Sequence, residues 1–396
     1  MGSSHRVPGA WAVVGVSLGS LAAGTFSTVG IGALAPELQA DLDFSRAQIG
    51  LLTALVSVGA SLVSRRAGRL TDSVGPAPVL GLSLVLFAAA FGVVAAAPTA
   101  LALMAAVFVA GFGYGGINPP TNVVIAGQMT RRIGFFMSVK QTGVPVGGFL
   151  AGLVLPPVAL ALSWRWAFGL SAAVALAVAA STVLLRGAAV LRVSGAPGGN
   201  GPSRRERAAI GVYGFVMAGA QWVFLAYFVL YLTQRGGWSL RSAGLALSLA
   251  TASSVGGRLV WGWLSDRLGG RVGVLVAASA IAVGMLALLA VGVEGAGVWP
   301  IAAVTGATLV GWNGAFHALI ADRAGPGGLG RSSGEVMTLV FGGSVCLPPL
   351  LGLVSERLNS WAFLWALAAG LVGVAGLALW GGLRRAAAPE PAPASR

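Results

Sequence analysis

Residues 257–271 read GRLVWGWLSDRLGGR, and four of these fifteen positions are charged although charged residues make up 9% of the chain. Three of the charges follow an apolar run and stand among glycines, which permit tight turns and close helix approach. The fourth, Arg258, lies inside the apolar run with no acidic residue beside it. The pattern predicts a helix that leaves an apolar environment near Asp266 and carries an isolated cation about 12 Å deeper, at the helical rise.

The whole chain is too apolar for a soluble fold. Its 396 residues are 56% hydrophobic, and the mean hydropathy is +0.86. Soluble domains carry about 25% charged residues, so this composition requires a bilayer. The net charge of +14 does not indicate nucleic-acid binding, because the arginines fall in short loops between apolar segments. The one cysteine, Cys346, allows no disulfide framework, and we expect no metal or cofactor.

Twelve apolar runs of about 20 residues are each long enough to cross a bilayer as a helix. They predict an all-α membrane protein with two six-helix bundles. The expected spans are 11–34, 47–66, 77–97, 99–126, 134–160, 164–186, 208–233, 240–264, 272–293, 297–321, 333–355 and 360–383.

The basic residues orient these spans. Of the 25 lysines and arginines, 18 lie in one alternating set of connections and termini, 5 lie in the other set, and Lys140 and Arg258 lie inside spans. Basic residues collect on the cytoplasmic side of a membrane. We therefore expect a multi-pass protein of the cell membrane with both termini in the cytoplasm.

The longest connection, GAAVLRVSGAPGGNGPSRRER, is basic, rich in Gly, Pro and Ser, and close to the middle of the chain. Such a composition is typical of a linker. We expect an N-terminal lobe at 1–186, a cytoplasmic linker at 187–207, a C-terminal lobe at 208–383 and a disordered cytoplasmic tail at 384–396.

The two lobes carry an internal repeat. Three pairs of segments agree at offsets of 192 to 195 residues, which favours two parallel repeats of a two-lobed carrier. The pairs are Gly68-x3-Asp72-x2-Gly75 with Gly262-x3-Asp266-x2-Gly269, INPPTNVVIA from Ile117 with WNGAFHALIA from Trp312, and Leu155-Pro-Pro with Leu347-Pro-Pro.

Twelve spans in two halves, with G-x-x-x-D-R-x-G-x-R after the eighth span, resemble the major facilitator superfamily over nearly the whole chain. The first-half copy departs from the motif, because Ser73 replaces a basic residue and Pro76 and Ala77 replace a basic pair. The fourth-span arginine common in drug–proton antiporters of the family is missing from FVAGFGYGGINPP. Both departures weaken an antiporter interpretation.

The charged loop after the eighth span, and its first-half copy, are predicted to form an inner gate. An aspartate at the cytoplasmic rim can meet a helix N-terminus and nearby arginines, and so hold the two lobes together. The alternative is that the arginines only orient the protein. The candidate latch residues are Gly68, Asp72, Gly75, Gly262, Asp266, Arg267, Gly269 and Arg271.

Arg258 and Lys140, the only lysine, are the candidate anion ligands. A charge inside a span is costly and usually faces the bundle interior or a water-filled path. The pattern Arg258-x3-Gly262 resembles monocarboxylate and oxalate carriers of the superfamily, in which this arginine meets the substrate carboxylate, and KQTGVPVGG resembles carriers near the cyanate-transporter group. The alternative is that both side chains snorkel to the cytoplasmic interface.

Other polar residues within spans complete the predicted substrate site. Two pairs are repeat mates, Asn118 with Asn313 and Asn122 with His317. The alternative is ordinary hydrogen bonding between helices. His317 and Glu335 are candidate proton sites, and Glu335 is equally a candidate latch partner. The full polar set is Asn118, Asn122, Gln141, Gln221, Asn313 and His317.

The function expected from these features is secondary transport of a small organic anion, a carboxylate, by a proton-coupled monomer that exposes its site alternately to the two sides. The alternative is efflux of a drug or natural product. An enzyme is not expected, because the chain lacks HExxH, GxSxG and paired aspartates in spans.

Overall fold

The structure is a computed structural model that describes residues 9–128, 136, 139–185, 203–268, 270–324 and 329–384. In this part of the chain, twelve helical segments are long and apolar enough to cross a membrane. The first is Ala10–Ala33 and the last is Trp361–Leu383. The predicted all-α fold with twelve spans is confirmed.

The helices of the first half are α1 (Ala10–Ala33), α2 (Ala35–Leu42), α3 (Arg46–Val74), α4 (Pro76–Ala96), α5 (Ala100–Gly115), α6 (Asn118–Gln128), α7 (Gly143–Ala161) and α8 (Trp164–Ser181). Those of the second half are α9 (Arg204–Gln234), α10 (Leu240–Leu268), α11 (Arg271–Val291), α12 (Val298–Thr305), α13 (Asn313–Ala324), α14 (Leu329–Arg357) and α15 (Trp361–Arg384). Helices α5 and α6 together make the fourth span, and α12 and α13 with the turn between them make the tenth.

Three features differ from the sequence prediction. Helix α3 continues to Val74, well beyond the predicted end of the second span at 66. The short helix α2 was expected to be a loop; it ends at Asp43, whose φ of 52° is left-handed. Helix α9 begins at Arg204, inside the predicted linker, because Ser203 and Glu206 form a capping box that satisfies the first backbone N–H groups. The rest of the predicted linker up to residue 202, and the tail after Arg384, lie outside the described residues.

Helix α2 is held against α8 by an ion pair. Arg165 Nη1 lies 2.6 Å from Asp41 Oδ2, and Trp164 Nε1 donates to the same oxygen at 2.9 Å. The hydrogen bond from Arg165, followed by that from Trp164, lowers the pKa of the exposed Asp41 carboxyl. The pair therefore braces the first half at its outer end, meaning the end with few arginines.

The fourth and tenth spans are both interrupted, and at corresponding positions of the repeat. The fourth span turns at Gly116 and Ile117 before α6 begins at Asn118. The tenth passes through a π-helical segment, Gly306–Val310, and a turn at 311–312 before α13 begins at Asn313. Interrupted helices at matching places in two halves are typical of carriers, whose binding sites they line.

The two halves are packed together at their outer ends. Gly32 of α1 lies so close to Leu225 of α9 that a Cβ there would collide with the Leu225 carbonyl. Farther toward the membrane centre, Ser248 Oγ of α10 donates to the Phe149 carbonyl of α7 at 2.8 Å. Gly262, near the inner end of α10, has no atom of the described residues within 4 Å of the place its Cβ would occupy.

Candidate substrate site

Lys140 is enclosed by polar groups of the first half. Its side chain is 1% exposed, so the ammonium group is inside the protein. Nζ donates to Asn118 Oδ1 at 3.3 Å, to Thr121 Oγ1 at 3.3 Å and to Asn122 Oδ1 at 2.5 Å. We call these four residues the lysine cluster.

The lysine cluster depends on the break in the fourth span. Because α6 begins at Asn118, residues 118 and 122 lie four apart on one helix face and point the same way. The fifth span begins at Val139, so Lys140 approaches that face from its own inner end. Lys140 thus makes three hydrogen bonds within the protein, and the structure does not show the snorkelling alternative for it.

A second polar cluster lies in the second half, around Gln221 of α9. Trp312 Nε1 donates to Gln221 Oε1 at 2.9 Å, and Asn313 Nδ2 donates to the same oxygen at 3.4 Å. Asn313 Nδ2 also donates to the Val310 carbonyl at 3.3 Å. The break in the tenth span thus brings together Gln221 and Asn313, two of the predicted site residues.

Arg258 is half-buried on α10, and its Nε is enclosed without a hydrogen-bond partner among the described residues. This part of α10 contacts the π-helical segment of the tenth span. The Trp261 indole donates a hydrogen bond to the Ala307 carbonyl at 2.8 Å. A Cβ on Gly314 of α13 would lie 3.5 Å from the Arg258 carbonyl. The neighbouring His317 is exposed and close enough to Arg258 for the two to interact electrostatically.

The two polar clusters remain separate from each other. Within the described part of the chain, no hydrogen bond or ion pair joins the lysine cluster to Arg258 or Gln221. Gln141, the neighbour of Lys140, is exposed. The polar groups of the first half and those of the second half can therefore be connected only through a bound molecule or water.

The predicted latch is only partly visible. Gly269 and the side chains of Asp72, Asp266 and Glu335 lie outside the described residues. The Arg267 guanidinium lies 5.1 Å from the Trp263 ring centre, and Arg271 Nη1 donates to Ser265 Oγ at 3.3 Å. Gly75 has a φ of 95°, which explains the glycine at the turn between α3 and α4. Among the described residues, the nearest atom to the Cβ position of Gly68 is in Pro119 at 4.0 Å, and none lies within 4 Å of the Cβ position of Gly262.

Sequence reasoning missed the outer contact between the two halves. The Tyr227 hydroxyl of α9 lies 2.8 Å from the carbonyl oxygens of both Arg46 and Pro348. The Arg46 guanidinium donates to Ser355 and lies 4.1 Å from the ring centre of Trp361. We call this group the outer closure; Arg46 was taken only as a loop cation, and no sequence signal pairs it with these residues.

An open pocket of about 340 Å³ lies beside the outer closure. It is lined by Gln39, Asp43, Phe44, Ser45, Arg46, Gln234, Glu356 and Asn359.

Two helical halves with matching interrupted spans and polar groups at the breaks define a two-lobed membrane carrier. The Major Facilitator Superfamily model matches residues 16–344, and the chain belongs to this superfamily of secondary transporters. The predicted resemblance is thus confirmed.

Individual relatives are distant. An uncharacterized MFS-type transporter of Mycobacterium tuberculosis is 26% identical over 86% of this chain and 78% of its own length. The hexuronate transporter of Bacillus subtilis is 25% identical over 87% and 88%, and the gentisate transporter of Corynebacterium glutamicum is 27% identical over 65% and 62%. A solved bacterial homologue of the human lysosomal transporter Spinster, titled inward-facing and unoccupied, shares the fold with a TM-score of 0.77, 15% identity, and coverage of 97% of this chain and 96% of its own.

Proposed function

We propose that this carrier moves a small organic anion across the cell membrane and that Arg258 is its principal ligand. The observation that carries the proposal is the enclosed Nε of Arg258, which has no hydrogen-bond partner among the described residues. A buried guanidinium donor without a partner is costly. A carboxylate would satisfy it with paired, charge-assisted hydrogen bonds.

The distant relatives support the same substrate class. Hexuronate and gentisate, the substrates in two of their names, both carry a carboxylate. They differ in the rest of the molecule, so the support extends to the anionic group and not to a particular compound.

The position of the packed contacts supports alternating access. The outer closure joins the halves on the side with few arginines, while the Cβ position of Gly262, near the inner end of α10, has no described atom within 4 Å. With the termini in the cytoplasm, as the arginine distribution favours, the structure corresponds to an inward-facing state. Rocking of the halves would then break the outer closure and form the inner latch.

We further propose that a proton accompanies the anion. His317 lies within electrostatic range of Arg258. An anion bound at Arg258 would favour a proton on the His317 imidazole, and by linkage the proton would favour the anion. Glu335 remains the second candidate.

The test is binding and transport by the purified protein in proteoliposomes, with glucuronate and gentisate as probes. Arg258→Gln should abolish uptake of whichever probe the parent carries, and Arg258→Lys should reduce it strongly, because lysine lacks the planar fork. Arg241→Gln is the matched control, since Arg241 lies on the same helix but is exposed at its outer end. Parent-like uptake by Arg258→Gln would refute the ligand assignment, and export of cationic dyes without carboxylate binding would replace the anion function with efflux.

A further inference from the structure

The hydrogen bonds of the lysine cluster determine which end of each amide faces outward. An ammonium group only donates hydrogen bonds, and the carbonyl oxygen is the only acceptor in an asparagine side chain. Lys140 Nζ therefore donates hydrogen bonds to the Oδ1 atoms of Asn118 and Asn122. The two Nδ2 groups, which only donate, are left for other partners.

The ammonium group and the two amides differ in their exposure. Lys140 is 1% exposed, whereas Asn118 and Asn122 are both exposed. The cation is thus behind the amides, and the amides are at the surface of the first half. Exposed amides within a span are expected to face a water-filled path in preference to lipid, and their Nδ2 groups are the donors available to that path.

A similar arrangement exists in the second half. The Trp312 indole, another group that only donates, occupies Gln221 Oε1, so the donors on Gln221 Nε2 are left over. Ile117, the repeat mate of Trp312, has no hydrogen-bonding side chain. In both halves, an amide oxygen accepts a hydrogen bond and the amide N–H groups are left over. The donor is a lysine in the first half and a tryptophan in the second.

We propose that Lys140 is a positioning residue, which holds Asn118 and Asn122 so that their amide N–H groups bind the anion. This inference rests on the proposed anion transport, and it replaces the sequence-based prediction that Lys140 itself contacts the substrate. The positive charge of Lys140 acts through the two polarised amides, because it draws on their Oδ1 atoms and leaves the Nδ2 groups as the donors toward the path. The first half then favours anions over cations without exposing its lysine.

The first experiment needs no substrate. Asn122→Asp is introduced into the parent and into Lys140→Met, and thermal unfolding of the four purified proteins is compared. In the parent the new carboxylate meets the ammonium and the melting temperature is kept or raised. Without the ammonium an unpaired carboxylate remains in the span, so the melting temperature should fall by at least about 3 °C more. Equal shifts in both backgrounds would overturn the inference, whatever the protein transports.

The second experiment measures dissociation constants for glucuronate and gentisate. Lys140→Gln should raise the dissociation constant about ten-fold in the parent but about three-fold or less in an Asn122→Ala background. The reason is that part of the effect of Lys140 on affinity passes through the Asn122 amide. An equal loss in both backgrounds would mean that Lys140 holds the anion directly. Unchanged affinity in Lys140→Gln would mean that the orientation has no role, and either result overturns the inference. If the parent binds no carboxylate, the proposed function fails, while the unfolding experiment still tests the orientation.

Discussion

The hydroxyl of Tyr227 allows the stability of the outer closure to be tested with one substitution. It lies 2.8 Å from the Arg46 carbonyl in the first half and 2.8 Å from the Pro348 carbonyl in the second. Tyr227→Phe removes this hydroxyl while keeping the ring. The hydroxyl has one proton, which the Arg46 and Pro348 carbonyls share in the outward-closed state. The variant loses the part-buried contact to Arg46 between the halves, which the outward-open state does not make, while Pro348 can accept the proton in either state.

The size of the effect follows from the value of one such bond. A typical net contribution is about 1 kcal/mol, which corresponds to a factor of about five in the equilibrium between the states. Because Pro348 can accept the hydroxyl proton in both states, this factor is the upper limit, and we expect the outward-open population of Tyr227→Phe to rise by up to about five-fold.

The assay is the distance between spin labels on cysteines at Leu162 and Leu358, which are exposed near the outer ends of the two halves. Cys346, the only native cysteine, is exposed and is first replaced by serine. Tyr231→Phe is the matched control, because the Tyr231 hydroxyl donates to Leu289 within the second half at 2.9 Å. A Tyr227→Phe distance distribution that matches the parent, or that Tyr231→Phe reproduces, would refute this account of the closure.

Three further predictions follow from individual positions. Gly262→Leu should insert and bind normally but slow transport several-fold, because the space open at Gly262 closes when the inner ends meet; parent-like turnover would contradict this. Asp41→Asn should lower the melting temperature at neutral pH; because the folded pKa of Asp41 is depressed below 3.8, the difference should be full above that pH and vanish as the pH falls through the folded value. A pH-independent difference would show that the Arg165 pair is not its cause. A cysteine placed at Gly199 should react with membrane-impermeant reagents only from the cytoplasmic side, and labelling in intact cells would overturn the topology.

The spans and the repeat could be predicted because bilayer thickness and helical rise set the length of each apolar run. The breaks in the fourth and tenth spans were not predicted, because 99–126 and 297–321 were expected to be continuous helices. The repeat mates Asn118 and Asn313 are the residues at which the helices resume after these breaks. The partners of Lys140 could not be predicted. Snorkelling and burial are both open to a lysine near the inner end of a span, and only the hydrogen bonds of Lys140 to α6 distinguish them.

The outer closure was beyond sequence reasoning for a different reason. Arg46, Tyr227 and Pro348 belong to three segments far apart in the chain, and each has an ordinary local explanation: a loop cation, an aromatic residue in a span and a helix-bending proline. Trp312 is similar, because an indole in an apolar run normally indicates packing. Its hydrogen bond to Gln221 depends on the π-helical segment, which no local pattern predicts.

The interrupted fourth and tenth spans also affect how the protein can bend. Each inner segment is connected to its outer segment by a short turn, so it can tilt at that joint. Lys140 ties α6 to the fifth span, whereas Gln221 ties the start of α13 to the seventh. Tilting of the two inner segments would therefore pull on different neighbours, one of which packs across to α10 and the other across to α1. Two halves that share one sequence repeat are thus mechanically unlike, and a force applied at one joint reaches the opposite half by a different route.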